Sequence, residues 1–135
     1  MIKLLLVVLL SMSDALAGEL VVIGDPALGK LDVLTIQKLF TGKMIRVNSI
    51  NVTAVNIKSG ELRNQFLSRY LNQSDEKYSA YWAIRLFAGK GMPPLELQTA
   101  ADVIKFVKTT AGAIGYINED DIIPEVRVVG RLSGY

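Results

Sequence analysis

The spacing of apolar residues changes several times along the chain, and each change marks an element. Glu19 to Ile23 (ELVVI) ends in an unbroken apolar run closed by Gly24-Asp25-Pro26, which predicts a buried strand. Leu34 to Phe40 places Ile36, Leu39 and Phe40 at helical spacing, with Thr35 positioned to cap the helix and Gly42 to stop it. Asn51 to Ile57 alternates and is rich in β-branched residues, the pattern of a strand. Ser59-Gly60 then opens a helix with Leu62, Phe66 and Tyr70 on one face and Leu67 and Leu71 beside them. Another helix starts at Ser74. Its hydroxyl suits the N-cap, Asp75 and Glu76 suit the positive end of the dipole, and Tyr78, Tyr81 and Trp82 supply core and rim as far as Phe87.

Phe87 to Pro94 (FAGKGMPP) reads as a glycine-proline loop. Thr99 to Asp102 resembles a capping box ahead of Val103, Ile104 and Val107. Ala113 to Ile117 forms a strand, Glu119-Asp120-Asp121 an acidic turn, and Val126 to Leu132 a last strand. Before the Ala113 strand, Gly112 can take the positive φ that a helix end demands. Ala113 and Gly115 are small enough for a helix to lie close on the strand. Strands and helices interleave, which predicts an α/β fold with a mixed sheet of about five strands flanked by helices.

The chain start changes the picture of where this domain works. Lys3, the seven-residue apolar run Leu4 to Leu10 and the small residues Ala15 and Ala17 form the pattern of a secretory signal peptide. The run is too short to span a bilayer of ~30 Å as a helix. The alternatives are an N-terminal anchor or a buried strand. Residues 1–17 are therefore expected to be a signal peptide and 18–135 one domain in the periplasm. The chain has no Cys and no His, so disulfides, a lipoprotein anchor and zinc-type ligation have no residues to form from. The commonest general base is missing too. A net charge of +2 is too small to argue for nucleic acid or an anionic membrane.

Four segments in order carry a resemblance: LTIQKLFTGK (Leu34 to Lys43), NVTAVNI followed by SGELRNQF (Ser59 to Phe66), YWAIRLFAGKG (Tyr81 to Gly91) and AGAIGYI (Ala111 to Ile117). Together they resemble the second lobe of the phosphate-binding proteins of bacterial ABC importers, which have a type II periplasmic-binding-protein fold. In that family two lobes close over the anion. The resemblance implies a single lobe of this fold and a non-catalytic, exported module that binds phosphate or a similar inorganic anion, weakly when alone. Ser59 and Gly60 match the family's Ser-Gly-Thr, while Glu61 stands at the Thr position. The family's arginine falls near Val55 or Asn56, neither of them basic. The resemblance also implies that Gly112 and Gly115 lie near the same face as Ser59 and Lys90.

The candidate anion-binding residues are Lys58, Ser59, Gly60, Lys90 and Gly91. A helix N-terminus offers unpaired N–H groups, and lysine adds a point charge. For Ser59 an ordinary N-cap is the plainer reading, supported by Glu61 in the first turn. For Gly89-Lys90-Gly91 it is a simple loop; Met92 follows Gly91, so this is no P-loop. Three consecutive acids at Glu119 do not fit an EF-hand, and no nucleophile–base pair is visible, so neither a metal, a cofactor nor an enzyme is expected. Two functions stay open. One is an anion-binding module, with a second copy or another periplasmic or membrane protein as partner. The other is a protein–protein interaction module that keeps the fold and has lost the ligand site.

Overall fold

Every residue of Leu20–Gly24 is buried, as an apolar strand must be when helices cover both faces of its sheet. The computed structural model describes residues 19–132; the expected signal segment lies outside the described residues. In chain order the elements are β1 (Leu20–Gly24), α1 (Val33–Phe40), β2 (Arg46–Val47), β3 (Ile50–Asn51), β4 (Thr53–Ile57) and α2 (Glu61–Phe66). There follow α3 (Asp75–Phe87), β5 (Leu95–Leu97), α4 (Ala100–Thr109), β6 (Ala113–Asn118) and β7 (Arg127–Gly130). Five strands form one mixed sheet in the order β5-β4-β6-β1-β7. β4 runs parallel to β5 and β6, whereas β1 pairs antiparallel with β6 and β7. β2 and β3 make a separate hairpin whose turn residues, Asn48 and Ser49, both have positive φ, as a type I′ turn requires.

Alternation along the strands sorts the core into two layers. Leu20, Val22, Ile114 and Tyr116 face α1, α2 and α3 and pack with Ile36, Phe40, Phe66, Tyr78 and Trp82. Val21, Ile23, Val55, Ala113 and Ile117 face α4 and meet Val103 and Val107. The expected close approach of a helix at Gly115 is present: a Cβ there would stand 2.6 Å from Val103 Cγ1. Ser74 and Thr99 cap α3 and α4 as expected, each accepting from the backbone N–H three residues on.

Several boundaries differ from expectation. α1 is capped by Asp32, whose Oδ1 accepts from Thr35 N at 2.8 Å, so Thr35 lies inside the helix it was expected to cap. Carboxylates cap at least as well as hydroxyls, and Asp32 stands at the spacing that reaches the third N–H. The expected strand Asn51 to Ile57 is divided between β3 and β4, and the last strand is shorter than Val126 to Leu132. The helix after Gly60 widens into a π turn over Leu67–Leu71, ending on left-handed Asn72. There Leu67, Tyr70 and Leu71 all reach the core. β5 was not expected: three residues after a Pro-Pro pair carry no periodicity, and the strand exists through its parallel pairing with β4.

Gly112 serves the turn into β6. Its φ is +73°, its N–H donates to Asp25 Oδ2 at 2.7 Å, and its carbonyl accepts from Thr53 N at 2.9 Å. A Cβ at this position would collide with the Asn51 carbonyl oxygen. Gly112→Ala is therefore expected to lose more than the ~1–3 kcal/mol of backbone strain alone. Gly89→Ala, at φ +68° in open space, should lose only the strain. Urea unfolding of both variants checks this, and equal losses would contradict the packing explanation.

Candidate functional site

The C-terminal ends of β4 and β5 bring together a cluster of polar residues from four elements of the fold. Lys58 leaves the sheet after its N–H donates to Leu97 O at 2.9 Å. Gly60, not Ser59, is the N-cap residue of α2, and no side chain caps that helix. The Ser59 hydroxyl instead donates to Asp75 Oδ2 at 2.8 Å, across to the first turn of α3. A Cβ on Gly60 would meet nothing nearer than Lys58 O at 3.9 Å, so the space over the start of α2 is open.

Arg63, one turn into α2, is 3 % exposed although charged. It donates through Nε to Asp75 Oδ1 at 3.0 Å and through Nη1 to Glu96 Oε1 at 2.8 Å and Ile57 O at 3.3 Å. Its guanidinium lies over the Tyr78 ring, 5.5 Å from the centroid. Burial works against the Arg63 charge, but Asp75 and Glu96 outweigh it and raise the pKa. Burial would likewise push the Asp75 carboxyl up. The Ser59 hydroxyl, the Arg63 charge and the Ser79 hydroxyl together outweigh that and hold it below the usual range. Beneath them runs a buried relay: Ile57 N donates to Tyr116 Oη, Tyr116 to Asn56 Oδ1, Asn56 Nδ2 to Tyr78 Oη, and Tyr78 to Phe40 O. Burial raises the pKa of both phenols, so they act as neutral donors.

Of the expected residues, the fold brings Lys58, Ser59 and Gly60 together and separates them from Lys90 and Gly91. α3 begins at Asp75, beside Ser59, and ends three residues before Lys90, so the two groups stand roughly 20 Å apart at ~1.5 Å per helical residue. Lys90 and Gly91 precede β5 and lie at the opposite sheet end, because β5 is parallel to β4. Gly112 is there too, beside Thr53, and Gly115 is buried under α4. The expectation that these glycines share a face with Ser59 is thereby corrected. Gly89 and Gly91 take positive φ with open space around them, so they serve the loop backbone. Arg63, Asp75 and Glu96 were missed. The available signal was Arg63 itself, a charge at helical spacing from Phe66, Leu67 and Tyr70 on the apolar face.

No protein-family model matches the chain, and no curated protein matches it in sequence. Solved structures do. An ABC-type phosphate transport receptor from Vibrio cholerae superposes with TM-score 0.64 at 14 % identity over 83 % of this chain and 45 % of its own. A protein assigned as a phosphate ABC transporter substrate-binding protein, with bound phosphate, from Clostridium perfringens gives 0.65 at 17 % over 83 % and 44 %. PstS from Borrelia burgdorferi gives 0.65 at 15 % over 87 % and 49 %. The fold is that of one lobe of a periplasmic-binding protein. This chain spans about half the length of the structures it matches.

The depressed Asp75 carboxyl makes stability depend on pH. Its contribution is fully present above the unfolded value of about 3.9 and is lost as pH falls through the lower folded value. The urea midpoint of the wild type should drop between about pH 5 and pH 2. In Asp75→Asn that part of the drop should vanish, leaving the share of other low-pKa groups such as Asp25 and Asp32. Parallel profiles for the two proteins would refute the pairing.

Proposed function

We propose that the chain is a non-catalytic, exported binding module that takes an inorganic oxyanion such as phosphate at the end of β4, with Lys58, Ser59 and the Gly60 backbone as first contacts. One observation carries this reading. The Ser59 hydroxyl and the Arg63 guanidinium converge on a single carboxylate, that of Asp75. Two donors aimed at one negatively charged oxygen group are what a tetrahedral oxyanion needs. On this reading Arg63 of α2 takes the part of the arginine that the family carries near the position of Val55 or Asn56, where this chain has no basic residue. The structural neighbours support the choice of ligand, since one is a phosphate transport receptor and another holds bound phosphate. Lys90 and Gly91 have no part in this site.

Asp75 occupies the donors that a ligand would use, so phosphate has to displace it against the charges of Asp75, Glu96 and Glu61. One lobe encloses its ligand on one side only, and water screens the remaining attraction. Affinity in the millimolar range, about 4 kcal/mol, follows. A second reading, a protein-docking module without a ligand, would rest on Glu96, the second carboxylate already on Arg63.

Calorimetric titration with phosphate distinguishes the two. Asp75→Asn should tighten phosphate by about tenfold, equivalent to ~1.4 kcal/mol, and Ser59→Ala should weaken it. Heat absent from all three proteins would decide for the docking module. Submicromolar binding by a monomeric wild type would contradict the competition with Asp75.

A further inference from the structure

The opposite end of α3 has a different chemistry. Phe87 is 95 % exposed, Met92 79 %, Ile84 70 % and Ile45 66 %. They come from the helix end, the glycine-proline loop and the segment after α1. Arg85 ties these pieces into one surface: its Nη2 donates to Gly42 O at 3.4 Å and to Lys90 O at 3.3 Å, and its guanidinium lies over Tyr81 and Trp82. Ile45, Met92 and Leu95 border one shallow depression with Trp82.

The charges of this end are all of one sign. No Asp or Glu occurs from Val33 to Gly60 or from Lys77 to Leu95, whereas Lys43, Arg85 and Lys90 do. Of the carboxylates that flank these stretches, Asp32 caps α1 and Glu96 is held by Arg63, while Glu61 and Glu76 stand in the first turns of α2 and α3. Among the described residues no carboxylate pairs with Lys43 or Lys90. A whole-chain charge of +2 conceals this separation.

We propose that this end docks on an anionic bilayer surface, with Phe87, Met92 and Ile45 entering the interface and Lys43 and Lys90 at the level of the lipid phosphates. Exposed apolar side chains around a shallow, open depression suit a fluid phase that needs no matching shape. Lysines beside them add roughly fivefold each in affinity for an acidic leaflet, screened by salt. The surface lies a helix length from Ser59 and Asp75, so the proposal stands independently of the anion site.

The absence of Cys from the chain allows a site-specific probe. The full chain carrying Ala88→Cys, an exposed position beside Phe87, is labelled with an environment-sensitive fluorophore and mixed with phosphatidylglycerol vesicles. The emission should shift to the blue, and far less with phosphatidylcholine vesicles. Lys43→Gln and Lys90→Gln should each weaken vesicle binding roughly fivefold, and Phe87→Ser should abolish the shift. The same label at Lys108→Cys, exposed on α4 across the sheet, should not respond. Equal responses at both positions, or none at Ala88→Cys, would overturn the proposal. A shift with polyglutamate but not with vesicles would also overturn it, in favour of an acidic protein partner.

Discussion

Arg63 is a buried cation, and a buried charge is tolerated only when it is paired and hydrogen-bonded. Meeting that requirement organises the end of the sheet. Arg63 itself comes from α2, its carbonyl partner Ile57 ends β4, Asp75 opens α3, and Glu96 is the middle of β5. One guanidinium thus ties two strands and two helices. It also orders the ring of Tyr78, and through Tyr78 the hydrogen-bonded relay to Asn56 and Tyr116. Removing Asp75 would leave the buried Arg63 charge short of a partner, whereas Glu96, more than half exposed, keeps its contact with water.

The same cluster explains why the fold and its ligand chemistry must be judged separately. The lobe gathers the Ser59 hydroxyl and the Arg63 guanidinium at the end of β4, and its own carboxylate, Asp75, occupies both. An external oxyanion bound as proposed would have to compete with Asp75 for Ser59 and Arg63. The intramolecular partner is tethered, so its effective concentration is high. At the other end of α3, apolar and cationic residues collect without carboxylates, so the helix separates two surfaces of opposite character.

Local patterns in the sequence were sufficient for much of this. β1, β4 and β6, the caps Ser74 and Thr99 and the turn glycine Gly112 are each determined by neighbours in the chain, and each was legible. The ordered segments from Leu34 to Ile117 were enough to indicate a single lobe of the periplasmic-binding-protein fold. What was not legible depends on pairing across the sheet. β5 has no pattern of its own and exists because β4 offers an edge. The resemblance placed Lys90 and Ser59 near one face, and only the parallel register of β4 and β5 puts them at opposite ends. Ser59 resembled a cap, and its true partner lies sixteen residues further on.

The central claim, that Ser59 and Arg63 together hold the Asp75 carboxylate, is tested most directly by following the Asp75 side-chain carboxyl carbon by NMR across pH. The account predicts an apparent pKa below the ordinary aspartate value of about 3.9. It also predicts a clear rise in that value in Ser59→Ala. An ordinary value, unchanged by loss of the Ser59 hydroxyl, would contradict it.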